Sequence, residues 1–149
     1  MSTNERPSCQ TVTNVIATGL KTFREPVEVL GYLAQEVQDP HWHRVICCTA
    51  DAVVRLLADE DPEEVFAETF VGTEHLGFLR QFALALTCVA VAIEEGASPL
   101  RAIKLASHTC QPVEIPIMAA VFGAYHWGLG AYSPEWRNLI EQQMRPAAA

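Results

Sequence analysis

The sequence has few basic residues and no apolar run long enough to cross a membrane. Its 10 Lys and Arg residues are outnumbered by 18 Asp and Glu residues, which gives a net charge of −8. Because a nucleic-acid backbone repels a chain of this charge, we expect no nucleic-acid partner. The apolar residues 82–93 are interrupted by Thr87 and bounded by Arg80 and Glu94. Since a membrane span needs about 20 apolar residues, we also expect no membrane association.

The cysteines do not form an even set. The chain has five of them, and most lie within helical patterns: Cys9, Cys47, Cys48, Cys88 and Cys110. An odd number in such positions does not suit a disulfide framework. The first ten residues are polar and lack the apolar centre of a signal peptide. We therefore expect a cytoplasmic protein with reduced cysteines.

Strand patterns are also missing, whereas apolar residues recur at helical spacing through most of the chain. The pattern predicts an all-α fold, a compact orthogonal bundle of about seven or eight helices. We predict a flexible lead over residues 1–10 and a single helical domain over residues 11–145. Residues 10–23 are predicted to form only a short helix, because β-branched side chains and Gly19 lower their helix propensity.

Proline and aspartate indicate where several helices begin. Asp61 is a predicted N-cap and Pro62 a predicted first helical residue, followed by glutamates that complement the helix dipole. Pro99 opens another helix in the same way. Pro116 fits the first turn of a later helix, where no internal hydrogen bond is lost. Residues 79–93 have apolar side chains at alternating steps of four and three, so we expect this helix at the centre of the core.

His41, His43, Cys47 and Cys48 suggest a metal site at first sight. On a helix, His43 and Cys47 share a face, because they are four residues apart. A structural zinc site needs four ligands, however, and the sequence offers no second ligand pair with recognisable spacing. We favour a helix start followed by a core thiol, since free cysteine is usually buried as a small hydrophobic residue.

Residues 98–137 carry a series of motifs in a characteristic order. A proline-capped helix at Pro99–Ala106 leads into a loop at 109–114, then into a helix rich in Ala and Gly at 119–128, and finally into a Pro-Glu-Trp helix start at 134–136. This order resembles the C-terminal end of the ADP-ribosylglycohydrolase family. The upstream sequence LADEDPEEVF is similar to a further segment of that family, so the resemblance covers most of the chain after about residue 10.

The resemblance implies a fold but not the chemistry of the family. Family members hold two Mg²⁺ ions between carboxylates of an N-terminal Thr-Asp-Asp motif and carboxylates of the loop. This sequence has no Thr-Asp-Asp. One alignment puts the two loop aspartates on Gln111 and Val113, and the other puts them on Cys110 and Pro112. Neither alignment supplies a carboxylate, so we expect no metal, no cofactor and no catalytic residue.

The loop nevertheless defines a candidate site, a degenerate cleft formed by His108, Thr109, Cys110, Gln111 and Glu114. We expect a non-catalytic ADP-ribosylglycohydrolase-like protein that acts as a binding or regulatory subunit, or through protein interactions. The alternative is a hydrolase of altered chemistry on an ADP-ribose-like or other N-glycosidic substrate. Such a hydrolase would use side chains of the cleft, or a partner chain that supplies the missing N-terminal third of the family fold.

Apolar residues on two helices exceed what one buried stripe needs. They are Phe78, Phe82, Leu86, Val89, Ile93, Ile115, Ile117, Met118, Val121 and Phe122. Because a large apolar surface usually marks an interface, we predict a homodimer or a protein partner. Trp127 and Trp136 also lie in an apolar region, and we predict that both are structural.

Overall fold

A computed structural model of the chain describes residues 7–144. Within this range the protein is all-helical, with eight α-helices and no strand, which confirms the predicted all-α class and the predicted number of helices. The α-helices are α1 (Cys9–Thr22), α2 (Pro26–Glu36), α3 (Pro40–Leu57), α4 (Pro62–Thr69), α5 (Phe78–Glu94), α6 (Pro99–Ala106), α7 (Glu114–Trp127) and α8 (Pro134–Met144). In the described part of the chain, no helix has the length and apolar character needed to cross a membrane.

Helix α5 lies at the centre of the fold, as its spacing predicts. It packs against α2, α3, α6 and α7, and every residue from 82 to 92 is buried. Two buried hydroxyl groups join α5 to α3. Thr49 Oγ1 of α3 donates to the Ala83 carbonyl of α5 at 3.0 Å, and Thr87 Oγ1 of α5 donates to Thr49 Oγ1 at 3.1 Å. The polar interruption of the apolar stretch is therefore hydrogen-bonded inside the core.

The predicted helix starts at proline are confirmed. The Asp61 carboxylate accepts a hydrogen bond from the Glu64 backbone N–H at 3.2 Å, and Pro62 is the first residue of α4. Pro116 lies in the first turn of α7. Helix α3 also begins at a proline, Pro40, which was not predicted as a helix start; the Asp39 carboxylate accepts from the Trp42 N–H there at 2.9 Å.

The helix predicted within residues 10–23 is confirmed, although it is longer than the expected short helix. Helix α1 has 14 residues and is capped by Ser8, whose hydroxyl accepts from the Thr11 N–H at 3.1 Å. Cys9 therefore belongs to the helix and not to the predicted lead, of which residues 1–6 lie outside the described part. Packing outweighs low propensity here, because α1 buries one face against α2 and α7. Gly19 permits this approach, since a Cβ there would lie 3.2 Å from the Tyr32 ring.

Small residues of α7 bring the last helices close. A Cβ at Gly123 would lie 2.6 Å from the Tyr132 hydroxyl and 2.8 Å from the Trp127 ring. The Tyr132 hydroxyl donates to the Ala120 carbonyl at 2.8 Å. Trp127 packs half-buried against the main core, and Trp136 packs half-buried against a smaller cluster around Ile140. Both indoles thus contribute to packing, although Trp42 is the tryptophan with no exposed surface.

The apolar surplus of α5 and α7 is largely covered within the chain. Five of the ten residues are buried, namely Phe82, Leu86, Val89, Ile115 and Phe122. The other five are half-buried: Phe78, Ile93, Ile117, Met118 and Val121. The expectation that so many apolar residues require a partner surface was wrong for the buried half, because neighbouring helices cover α5 from several sides. The dimer stays a prediction that depends on the half-buried residues alone.

Candidate functional site

The connection between α6 and α7 forms one wall of a cavity of about 330 Å³. Helix α6 ends at Ala106, and the chain then turns back on itself. The opposite walls come from α4 and from the first half of α5. We call this space the loop cavity, which is lined by Glu63, Phe66, Ala67, Arg80, Leu84, Ser107, His108, Thr109, Cys110 and Pro112.

Arg80 supplies the positive charge of the loop cavity. Its Nε donates to Thr73 Oγ1 at 3.0 Å, and its Nη1 donates to Cys110 Sγ at 3.2 Å. Thr73 is buried, and its own hydroxyl donates to the Phe70 carbonyl at 2.6 Å. Among residues 7–144, no carboxylate lies within ion-pair distance of the Arg80 guanidinium. The guanidinium is therefore fixed in position while its charge remains without an acidic partner.

His108 and Glu63 lie at the mouth of the loop cavity. His108 Nδ1 is 3.7 Å from Glu63 Oε1, and the two side chains are 46% and 74% exposed. This separation is longer than a hydrogen bond, and solvent screens a pair with so much exposure. The contact leaves both groups available to a ligand.

The main role of Thr109 is to stabilise the conformation of the loop. It is buried, and its hydroxyl donates to the Ala106 carbonyl at 2.8 Å. Its backbone N–H donates to the same carbonyl at 3.1 Å. These bonds satisfy a carbonyl at the end of α6 and fix the direction in which the chain leaves the helix.

The structure does not bring all five predicted cleft residues together. His108, Thr109 and Cys110 line the loop cavity, whereas Gln111 accepts a hydrogen bond from Gln81 Nε2 at 2.9 Å. Glu114 begins α7 and lines a different space. Glu114 is separated from the loop cavity because it is the first residue of α7, which follows the loop directly. It lines the other space together with Gln81, the residue that donates to Gln111.

The second space is a groove of about 540 Å³ with an apolar floor. We call it the apolar groove, and it is lined by Cys9, Thr13, Gln81, Phe82, Glu114, Ile117, Met118, Val121, Phe122 and Gln143. Phe82 and Phe122 pack edge to face on its floor, with ring centroids 5.3 Å apart. The half-buried residues of α7 form its side, so the groove coincides with the remaining apolar surface of that helix.

The donor groups do not fit the pair of Mg²⁺ ions that members of the ADP-ribosylglycohydrolase family hold. In the described part of the chain, no three His, Cys, Asp or Glu side chains are close enough together to hold a metal ion. Cys110 is at one of the two aligned aspartate positions, and it contacts a guanidinium, which repels a divalent cation. The upstream candidates form no such group either: His43 Nε2 is 2.8 Å from the Ala34 carbonyl. The expected core thiol was wrong for Cys47, which is exposed, whereas Cys48 is half-buried against the core.

Sequence reasoning missed the two charged residues that complete the loop cavity. In the sequence, Arg80 stands out only as the boundary of an apolar stretch, and Glu63 only as one of the glutamates that complement a helix dipole. The available signal for Arg80 is that α5 has no other charged residue before Glu94. A single cation at the start of a buried helix must lie at a polar opening of the core.

Comparison of the chain with protein-family models, curated proteins and solved structures gives no match.

Proposed function

We propose that this protein is a non-catalytic binding protein with an ADP-ribosylglycohydrolase-like fold, which takes a small anionic ligand in the loop cavity. The observation that carries the proposal is the environment of the Arg80 guanidinium. Its guanidinium lines the cavity, is held by Thr73 and Cys110, and has no acidic partner among residues 7–144.

The guanidinium retains the donors that such a ligand requires. Arginine has five N–H groups, and the contacts with Thr73 and Cys110 use one Nε and one Nη1 hydrogen. The remaining donors suit a carboxylate or a phosphate, which arginine binds through two parallel hydrogen bonds. With a net charge of −8, the protein repels long anionic polymers, so the ligand is a small molecule.

The resemblance supports the same ligand class. In the family, metal ions supply positive charge beside the loop that corresponds to residues 109–114. In this chain Arg80 supplies positive charge beside that loop at Cys110. A fixed guanidinium binds an anion but does not activate a water molecule as a metal ion does. Because a guanidinium stands in place of the metal ions, we expect the protein to bind the ligand without hydrolysing it as family members do.

Calorimetric titration with ADP-ribose, with and without Mg²⁺, tests the proposal. We expect binding that does not require Mg²⁺. Arg80→Met is expected to weaken it by roughly tenfold or more, since a charge-assisted pair contributes about 1.5–3 kcal/mol. Arg44→Met is the matched control, because Arg44 is an exposed arginine of α3 outside the loop cavity. Absence of binding, or equal binding by both variants, would reject the proposal.

A second candidate function is the hydrolase of altered chemistry. The observation in its favour is that the His108 imidazole and the Cys110 thiol line one cavity. An N-glycosidic substrate such as an ADP-ribosylated peptide distinguishes the two functions. Release of ADP-ribose that is lost in both Cys110→Ser and His108→Ala would favour the hydrolase over the binding protein.

A further inference from the structure

Cys110 differs from the other cysteines of the chain in its surroundings. It is exposed, it lines the loop cavity, and its sulfur accepts a hydrogen bond from the Arg80 guanidinium at 3.2 Å. In the described part of the chain, no other cysteine sulfur has a hydrogen bond with a side chain. The thiol therefore lies beside a fixed positive charge and next to a space that can hold a second molecule.

The remaining four cysteines divide into two protected and two exposed ones. Cys88 is fully buried and Cys48 is half-buried, and burial raises the pKa of both thiols. Both are poor nucleophiles, because the thiolate is the reactive form. Cys9 and Cys47 are exposed, as Cys110 is, and they are the natural internal references.

We infer that Cys110 is a site of mixed-disulfide formation with small disulfides that carry carboxylate groups, and that Arg80 recruits them. The inference shares with the proposed function the capacity of Arg80 to bind anions, but it does not require ADP-ribose as the ligand. A carboxylate on the free N–H groups of Arg80 brings the attached disulfide close to Cys110 Sγ, because Arg80 Nη1 itself contacts that sulfur.

The reaction is a thiol–disulfide exchange with a complete balance. The Cys110 thiolate attacks one sulfur of the small disulfide, so that a new sulfur–sulfur bond forms and the original one breaks. The released thiolate takes up a proton from solvent. Cys110 is oxidised to the mixed disulfide, and half of the reagent is reduced to a free thiol. The loop cavity of about 330 Å³ receives part of the attached group, and its neighbour His108 is exposed at the mouth.

The test uses the full chain and oxidised glutathione, with the rate at each cysteine followed by peptide mass spectrometry. We expect modification at Cys110 about tenfold or more faster than at Cys9 and Cys47, because the Arg80 guanidinium holds a carboxylate of the reagent beside Cys110. Cystamine, a cationic disulfide, is the matched reagent, and its preference for Cys110 should disappear. Added salt should reduce the preference for oxidised glutathione.

Variants separate the role of Arg80 from a general effect on the fold. Arg80→Met should abolish the preference, Arg80→Lys should retain part of it, and Arg44→Met should leave it unchanged. In the wild-type protein, equal rates of modification at the three exposed cysteines would already overturn the inference. The same preference for Cys110 with cystamine as with oxidised glutathione would overturn it too. Titration of Cys110→Ser with ADP-ribose tests the proposed function alone, since this variant keeps Arg80 and cannot form the disulfide.

Discussion

The loop cavity and the apolar groove begin at neighbouring residues of α5 but differ in composition. Arg80 lines the loop cavity and Gln81 lines the groove, because successive helical residues point about 100° apart. In the loop cavity, hydrogen bonds hold the Arg80 guanidinium next to the connection between α6 and α7. In the apolar groove, aromatic rings of the main core form the floor. Because of this difference, substitutions in the loop cavity should alter ligand binding, whereas substitutions in the floor of the groove should alter the stability of the fold.

The largest effect is expected on the floor of the groove. Phe122→Ala should lower the free energy of unfolding by about 3–5 kcal/mol, because a buried aromatic ring leaves a cavity. Phe122 is 2% exposed and packs against Phe82. Urea unfolding measures the loss. Val121→Ala is the adjacent control on a half-buried side chain, and it should cost clearly less. Similar small losses in both variants would mean that the groove floor is not core.

An intermediate effect is expected at the support of Arg80. Thr73→Val removes the acceptor of the Arg80 Nε hydrogen bond and the donor to the Phe70 carbonyl. Unsatisfied buried groups cost about 1–3 kcal/mol, so unfolding should become easier by that amount. ADP-ribose affinity should fall as well, because the guanidinium is no longer fixed. Thr73→Ser keeps the hydroxyl and should preserve affinity. If Thr73→Val binds as tightly as the wild type, Arg80 does not need this support.

The side of the groove is where the dimer prediction can be examined. Met118→Glu introduces a charge among the half-buried residues of α7 and should convert a dimer into a species of 16.4 kDa, with little change in monomer stability. Light scattering at micromolar concentration measures the mass. Val54→Glu, at a 68% exposed position of α3, is the control and should leave the mass unchanged. A wild-type protein that is monomeric at the same concentration would contradict the prediction.

The smallest effect is expected from metal ions. We predict no Mg²⁺-dependent release of ADP-ribose from modified arginine or serine peptides, because the loop has Cys110, in contact with Arg80 of α5, where carboxylates would be needed. Addition of Mg²⁺ or EDTA should leave a turnover assay at its background. Glu114→Ala should also change nothing there, since Glu114 lies in the apolar groove. Release that is lost both with EDTA and in Glu114→Ala would contradict this account of the cavity.

Most of the helices could be predicted, whereas only part of the site could. The Asp61 cap and the prolines at Pro62 and Pro99 are local signals, so they give the starts of α4 and α6 without knowledge of the fold. The extent of α1 was missed because its stability comes from packing against α2 and α7. Of the residues that line the loop cavity, His108 and Cys110 were among those predicted from the loop sequence, and Arg80 was not.

The sequence by itself determined the helical character of the chain, the beginnings of several helices and the absence of carboxylates at positions 110–113. Each of these follows from residues that are neighbours along the chain. Only the tertiary structure decided that Arg80 meets Cys110, 30 positions away, and that Glu114 lines the opposite groove. The physical reason is that such contacts depend on how whole helices pack, and side-chain packing across α5 has no signature in any local stretch of sequence.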